Sequence, residues 1–186
     1  MEGKQQEIDE SLYSRQLYVM GHDAQKRMAL SSVLIAGLDG LGVETAKNII
    51  LAGVKSVTLL DDTLCSWIDL SAQFYLDESS LGRGRAEISL PKLAELNPYV
   101  QVSQLTGSVI EAVQKSQFNV VVLVNQGLEV VTAVTDHCHA HNIAVLLGKK
   151  DTLYGLILST VLNMMLLNYC MYVYTCGRHG WLSYIG

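Results

Sequence analysis

Three groups of residues in this chain have types and spacings suited to chemistry. The first is Arg15, in Tyr13-Ser14-Arg15-Gln16-Leu17-Tyr18. A guanidinium is always charged and forks onto oxyanions, so an arginine just upstream of a nucleotide-binding pattern can act on a phosphate, in its own site or a neighbour's. The second is the glycine loop in Val33-Leu-Ile-Ala-Gly37-Leu-Asp-Gly40-Leu-Gly42. The three glycine places of a dinucleotide fingerprint fall here on Gly37, Asp39 and Gly42. The middle place normally admits pyrophosphate to the backbone, and Asp39 puts a side chain and a negative charge there. Gly40 is additional and keeps the turn flexible. Asp61 follows about 20 residues later, where an acidic residue would hold a ribose hydroxyl or end a solvated strand. The loop therefore reads as an ATP or NAD site, or as an inherited fold that no longer binds nucleotide, and Asp39 favours the second. The third group is Asp136-His137-Cys138-His139-Ala140-His141, which places His137 and His141 on one helical face. No carboxylate completes a metal site there, so packed histidines at a helix end are expected and no metal is assigned.

The elements that must position these groups follow from apolar periodicity and turn residues. Asp9 and Ser11 can cap a helix over Tyr13–Met20 that Gly21 stops, and His22–Ala29 reads as a second helix. Ser32–Ala36 is a buried strand, Leu41–Leu51 a helix ended by Gly53, and Val57–Leu60 a strand closed by Asp61-Asp62. This is a βαβ unit, for which parallel pairing is the default. Asp69–Leu76 reads as a short helix. Ala86–Leu96 reads as a longer one, kinked by Pro91 or starting near it. Val100–Leu105 is a strand, Val109–Ser116 a helix, and Phe118–Val124 an almost continuous apolar strand that belongs inside the sheet. Glu129–Ala140 is a helix and Ile143–Leu147 a last strand. Such alternation predicts a doubly wound, mainly parallel α/β domain.

The bulk composition agrees with one core-forming domain. The chain has 186 residues, 49% hydrophobic and 17% charged, which excludes extended disorder. Its net charge of −5 argues against nucleic acid as a partner. The four cysteines, Cys65, Cys138, Cys170 and Cys176, are scattered without a CxxC pair, so neither a zinc knuckle nor a disulfide framework is expected. The polar, acidic N-terminus lacks an apolar signal core, and the body reads as intracellular with reduced thiols.

Several separated segments together resemble one family in order and spacing. They are Tyr13-Ser-Arg15-Gln-Leu-Tyr-Val-Met-Gly21, the loop Ser32 to Gly42, Ala46-Lys-Asn48-Ile-Ile-Leu-Ala-Gly53-Val, Asp69-Leu-Ser-Ala-Gln-Phe74, Arg85-Ala-Glu87 and Ala94-Glu-Leu-Asn-Pro98. Over about residues 9–155 the chain resembles the N-terminal, inactive adenylation half of ubiquitin-activating enzymes and their ubiquitin-like relatives. The resemblance implies a Rossmann-like fold of the ThiF/MoeB type. It also implies pairing with an active adenylation domain, fused or separate, which binds ATP and Mg and serves ubiquitin or a ubiquitin-like protein. Arg15 then matches the arginine lent to the ATP phosphates across that pairing. The active half carries Asn-x-Asn-Arg-Gln-Phe, but here Asp69 replaces one asparagine and Ala72 replaces the arginine. Where the active half offers a magnesium-binding aspartate, this chain has Asn125-Gln126-Gly127. These losses imply that the domain activates nothing alone, and no cofactor is assigned to it. Arg83, Arg85 and Glu87 open a helix and either touch the partner domain or form a solvated helix start. Neither Cys65 nor Cys138 matches the family's thioester cysteine, which belongs to a further domain, and both read as small buried residues. The family implies a cytoplasmic and nuclear location.

The expected domain plan is a disordered segment over 1–9, the adenylation domain over 10–155 and a divergent apolar tail over 156–186. Leu156–Tyr174 is almost uncharged and nearly long enough to span a bilayer. Asn163 and Asn168 interrupt it, so membrane insertion is not favoured. The tail instead suggests a truncated product with no function of its own. The sequence leaves open two further classes of protein. One is an NAD(P)-binding protein, which would need a glycine at position 39. The second is a tail-anchored adaptor built on Leu156–Val173.

Overall fold

The computed structural model describes Asp9 and residues 11–148. The expected Asp151–Gly155 turn, the apolar stretch from Leu156 onward and two of the cysteines, Cys170 and Cys176, lie outside the described residues.

Two helices, α1 (Ser14–Met20) and α2 (His22–Ala29), lead into alternating strands and helices. These are β1 (Ser32–Ala36), α3 (Gly40–Ala52), β2 (Ser56–Leu60), α4 (Trp67–Leu70), α5 (Arg85–Ala94), β3 (Gln101–Leu105), α6 (Val109–Lys115), β4 (Val120–Val124), α7 (Leu128–Ala140) and β5 (Ala144–Gly148). All four strand pairings are parallel, in the order β3-β2-β1-β4-β5. β4 is buried along its whole length and flanked on both sides, as its unbroken apolar run implies, although β1 is the middle strand.

Alternating residues of each strand feed two separate cores, because successive strand side chains point to opposite faces. Val33, Ile35, Val57, Leu59, Val120 and Val122 pack with Val43, Ala46, Ile50 and Leu93 on the face covered by α3 and α5. Leu34, Ala36, Val121 and Leu123 pack with Val113, Val134 and Cys138 on the face covered by α6 and α7.

Two expectations about local structure need correction, and a third is decided between its alternatives. Asp9 and Ser11 do not cap α1. The Asp9 carboxylate accepts from Ser11 N at 3.0 Å, Ser11 Oγ at 2.7 Å and Leu12 N at 3.1 Å, forming a turn ahead of a helix that has no side-chain cap. The helix expected over Asp69–Leu76 is a single turn beginning earlier, at Trp67. Asp69 is its third residue, and its carboxylate reaches back to Ser66 N at 2.9 Å and Ser66 Oγ at 2.8 Å, as in a capping box. Turns and a 3₁₀ turn at Glu78–Ser80 follow, so the side-chain competition of Asp and Ser with backbone groups outweighs the apolar spacing. Finally, Pro91 sits well inside α5 rather than near its start, which leaves the Glu87 carbonyl without an amide from position 91.

Candidate functional site

The strand order reverses between β1 and β4, and in doubly wound sheets ligands bind in the crevice outside the carboxyl ends of such strands. The glycine loop leaves β1 at that point. Gly37 has φ +98°, and a Cβ there would collide with the Val124 carbonyl, while a Cβ on Gly42 would collide with the Gly37 carbonyl. Close backbone packing alone therefore demands both glycines. Gly40 is no flexible spare: it begins α3, and a Cβ there would press on the Ala72 carbonyl.

Asp39 caps α3. Its Oδ1 accepts from Leu41 N and Gly42 N, both at 3.1 Å, and its Oδ2 accepts from Asn125 Nδ2. The amides at a helix N-terminus are the groups that hold phosphate in nucleotide-binding loops of this kind. In this chain they point at the protein's own carboxylate. Asn125, directly after β4, has φ +52° and donates its backbone N–H to the Gly148 carbonyl at 2.9 Å, which fixes it beside Asp39. Beyond it, Gln126 Nε2 turns back to the Val124 carbonyl at 3.1 Å.

Asp61 is not a solvated strand end. It is buried, its Oδ2 accepts from Leu38 N at 2.7 Å and its Oδ1 from Thr63 N at 2.9 Å, so it grips the glycine loop from the tip of β2. Arg85 lies 3.6 Å from Asp61 and donates to Asp69 at 2.7 Å, with its side chain only 17% exposed. The three charges opening α5 thus divide. Arg83 and Glu87 form an exposed ion pair at 2.6 Å, whereas Arg85 turns inward and presents no free charge to a partner. Burial disfavours the Arg85 charge, but the Asp69 hydrogen bond and the charges of Asp69, Asp61 and Asp39 outweigh it and hold the pKa above its ordinary value. Burial pushes the Asp69 carboxyl upward, yet the Ser66 hydrogen bonds and Arg85 together hold it below the usual carboxylate range.

Gln73 is a contributor to this region that sequence reasoning missed. It is 2% exposed, and its Nε2 donates to the Leu38 carbonyl at 2.5 Å and to Ser89 Oγ at 3.4 Å, tying the segment after α4 to the glycine loop. The signal was its place between Ala72 and Phe74 in the motif, but composition gives no hint that a glutamine there is buried. Its neighbours are exposed: Phe74 is 89% accessible, and Trp67 and Ile68 also face outward.

Arg15 lies elsewhere. It is exposed on α1, and among the described residues its side chain makes no hydrogen bond or ion pair. It helps to line a groove of about 540 Å³ shared with Tyr13, Leu51, Asn97 and Pro98. The structure therefore separates the glycine-loop residues, which it brings together, from the arginine that the sequence set beside them.

The His137 and His141 rings stack with centroids 4.2 Å apart, and His141 Nδ1 meets the His137 carbonyl at 2.8 Å. Among the described residues no three His, Cys, Asp or Glu side chains form a metal-holding group. Cys65 and Cys138 are free and buried, and burial pushes the Cys138 thiol up to about 11. Among the described residues no helix is long and apolar enough to cross a membrane.

The model of the ThiF family matches residues 13–162. Ubiquitin-like modifier-activating enzyme 1 of Homo sapiens is 54% identical over 153 residues, which cover 82% of this chain and 14% of that protein. Ubiquitin-activating enzyme E1 2 of Arabidopsis thaliana is 49% identical over 146 residues, 78% of this chain and 14% of that protein. The chain thus spans 14% of the length of these relatives. The solved E. coli tRNA N6-threonylcarbamoyladenosine dehydratase, TcdA, in complex with ATP superposes with a TM-score of 0.66 over 74% of this chain and 58% of that one, at 15% identity. That likeness shows the fold: a Rossmann-like α/β domain of the ThiF/MoeB adenylation type, with a parallel sheet.

Proposed function

The chain belongs to the ThiF family, and from that premise we propose that it is the supporting adenylation half of an enzyme that activates ubiquitin or a ubiquitin-like protein. It pairs with an active adenylation domain, fused or separate, whose site holds ATP and Mg. One observation carries the reading: the donors that would cradle phosphate are turned onto Asp39, which caps α3 and is held by Asn125. Asp61, the candidate ribose ligand, is spent on Leu38, Thr63 and Arg85. The position of a magnesium-binding aspartate holds the amide of Asn125, a poor ligand for a hard cation.

Arg15 is the chain's contribution to chemistry in this reading. In the paired site the modifier's terminal carboxylate attacks the α-phosphorus of ATP, forming the acyl adenylate while the bond to pyrophosphate breaks. A guanidinium reaching in from α1 forks onto the phosphate oxygens and stabilises the charge that grows on them. The exposed Trp67, Ile68 and Phe74, beside the glycine loop, suit burial against a partner domain. Such an assembly works in cytoplasm and nucleus.

The test is ATP–pyrophosphate exchange with ubiquitin, using the chain alone and then mixed with an active adenylation half. Exchange only in the mixture is the expected result. Exchange by the chain alone overturns the supporting role, and none in either overturns the pairing.

A further inference from the structure

Arg15 stands on a helix that cannot place it. No residue of α1 is buried, and a seven-residue helix is marginal in isolation. What ties it down lies just ahead of it. Tyr13 is 8% exposed, and its carbonyl accepts Leu17 N at 2.9 Å, the first bond of the helix. Its hydroxyl accepts from Asn97 Nδ2 at 2.8 Å. The same amide donates to the Ile50 carbonyl at 2.9 Å, and Asn97 Oδ1 accepts Tyr99 N at 3.1 Å. Both amide hydrogens and the amide oxygen of a side chain 3% exposed are therefore used.

The dock for this clasp is the C-terminal end of α3, whose last carbonyls have no partner within the helix. The Ile50 carbonyl, shared with the Gly53 amide at 3.1 Å, accepts from Asn97, and the Ala52 carbonyl accepts from Gln25 Nε2 of α2 at 3.2 Å. α1 is thus pinned on both sides, through Tyr13 before it and Gln25 after it. Gly53, which ends α3 at φ +82°, leaves the space that the Tyr13 ring fills. A Cβ there would lie 2.5 Å from the Tyr13 hydroxyl and 2.6 Å from its ring.

We infer that Tyr13 and Asn97 are positioning residues for Arg15: their hydrogen bond, seated over Gly53, sets where the guanidinium stands relative to the partner's ATP. This rests on the function proposed above. The residues touch no reacting atom and act only through the helix.

The experiment is a double-mutant cycle in the mixture of chain and active half, reading adenylate formation in Tyr13→Phe, Arg15→Ala and the double variant. Tyr13→Phe removes only the hydroxyl. The expected result is about a tenfold loss, since small misplacements of catalytic groups cost up to about a hundredfold. The loss should vanish in the Arg15→Ala background, where nothing is left to position. In the chain alone, hydrogen exchange should rise at the Leu17–Met20 amides of Tyr13→Phe while the β1 amides stay protected. A normal rate in Tyr13→Phe beside a slow Arg15→Ala overturns the clasp and leaves the function standing. Losses that multiply in the double variant also overturn it, because they mean an effect on the fold rather than through Arg15. A normal rate in Arg15→Ala instead overturns the proposed function itself.

Discussion

The two ends of α3 do opposite things with the same kind of group. At its start, free amides meet Asp39, and nearby Arg85 is enclosed by Asp61 and Asp69, so every strong charge there has an internal partner. At its end, the Ile50 and Ala52 carbonyls hold Asn97 and Gln25, and these support a helix that presents the Arg15 side chain with no partner among the described residues. Charges that are neutralised locally contribute to folding. A charge kept free on an anchored support can act on something else. On the proposed reading the crevice serves stability and α1 serves interaction.

Arg15→Ala breaks the comparison most severely. It should slow adenylate formation in the mixed enzyme about a hundredfold to a thousandfold, the cost of removing one transition-state donor, with the melting temperature unchanged. Pre-steady-state adenylate formation measures it. Arg85→Met should do the reverse. It leaves Asp61 and Asp69 buried without their counter-charge, so urea unfolding should show a loss of about 3 kcal/mol. Asp39→Ala removes the cap of α3 and should cost about 1 kcal/mol in the same measurement. Asp39→Asn, which keeps an accepting oxygen, should cost less.

The smallest effect is a dependence on acid. Asp69 titrates below its ordinary value of 3.8 in the folded chain, so its stabilisation is complete above that pH and is lost as pH falls through the lower folded value. The stability gap between the wild type and Asp69→Asn should therefore narrow below pH 3.8. A gap that stays constant into acid would mean that the Asp69 charge adds nothing at the crevice.

Strand and helix positions were legible because buried parallel strands need unbroken apolar runs, as in Val120–Val124, and amphipathic helices need a period such as Val43, Ala46, Ile49 and Ile50. Turn chemistry was less legible. Spacing puts Asp69 at a helix start, but its carboxylate closes a turn around Ser66, and Asp9 serves a turn rather than a cap. Short polar side chains can bond to several nearby backbone groups, and spacing alone does not choose between them. The direction of Arg85 and the burial of Gln73 and Asn97 had no local signal, since Arg85 and Gln73 bond to groups 16 or more residues away and the Asn97 amide nitrogen donates to Tyr13 and Ile50, 84 and 47 residues away.

The sequence by itself determined the alternating α/β order, the parallel sheet, the missing glycine at Asp39 and the family to which the chain belongs. Those properties are set by residue type and short-range period, which local sterics and the hydrophobic effect translate directly into elements. Only the tertiary structure decided that Asp39 caps its own helix beside Asn125, that Arg85 is enclosed by Asp61 and Asp69, and that Tyr13 is clasped by Asn97 over Gly53. Each depends on which distant groups a packed fold brings within hydrogen-bond reach of a charge, and burial makes leaving such a group unpaired too costly to tolerate.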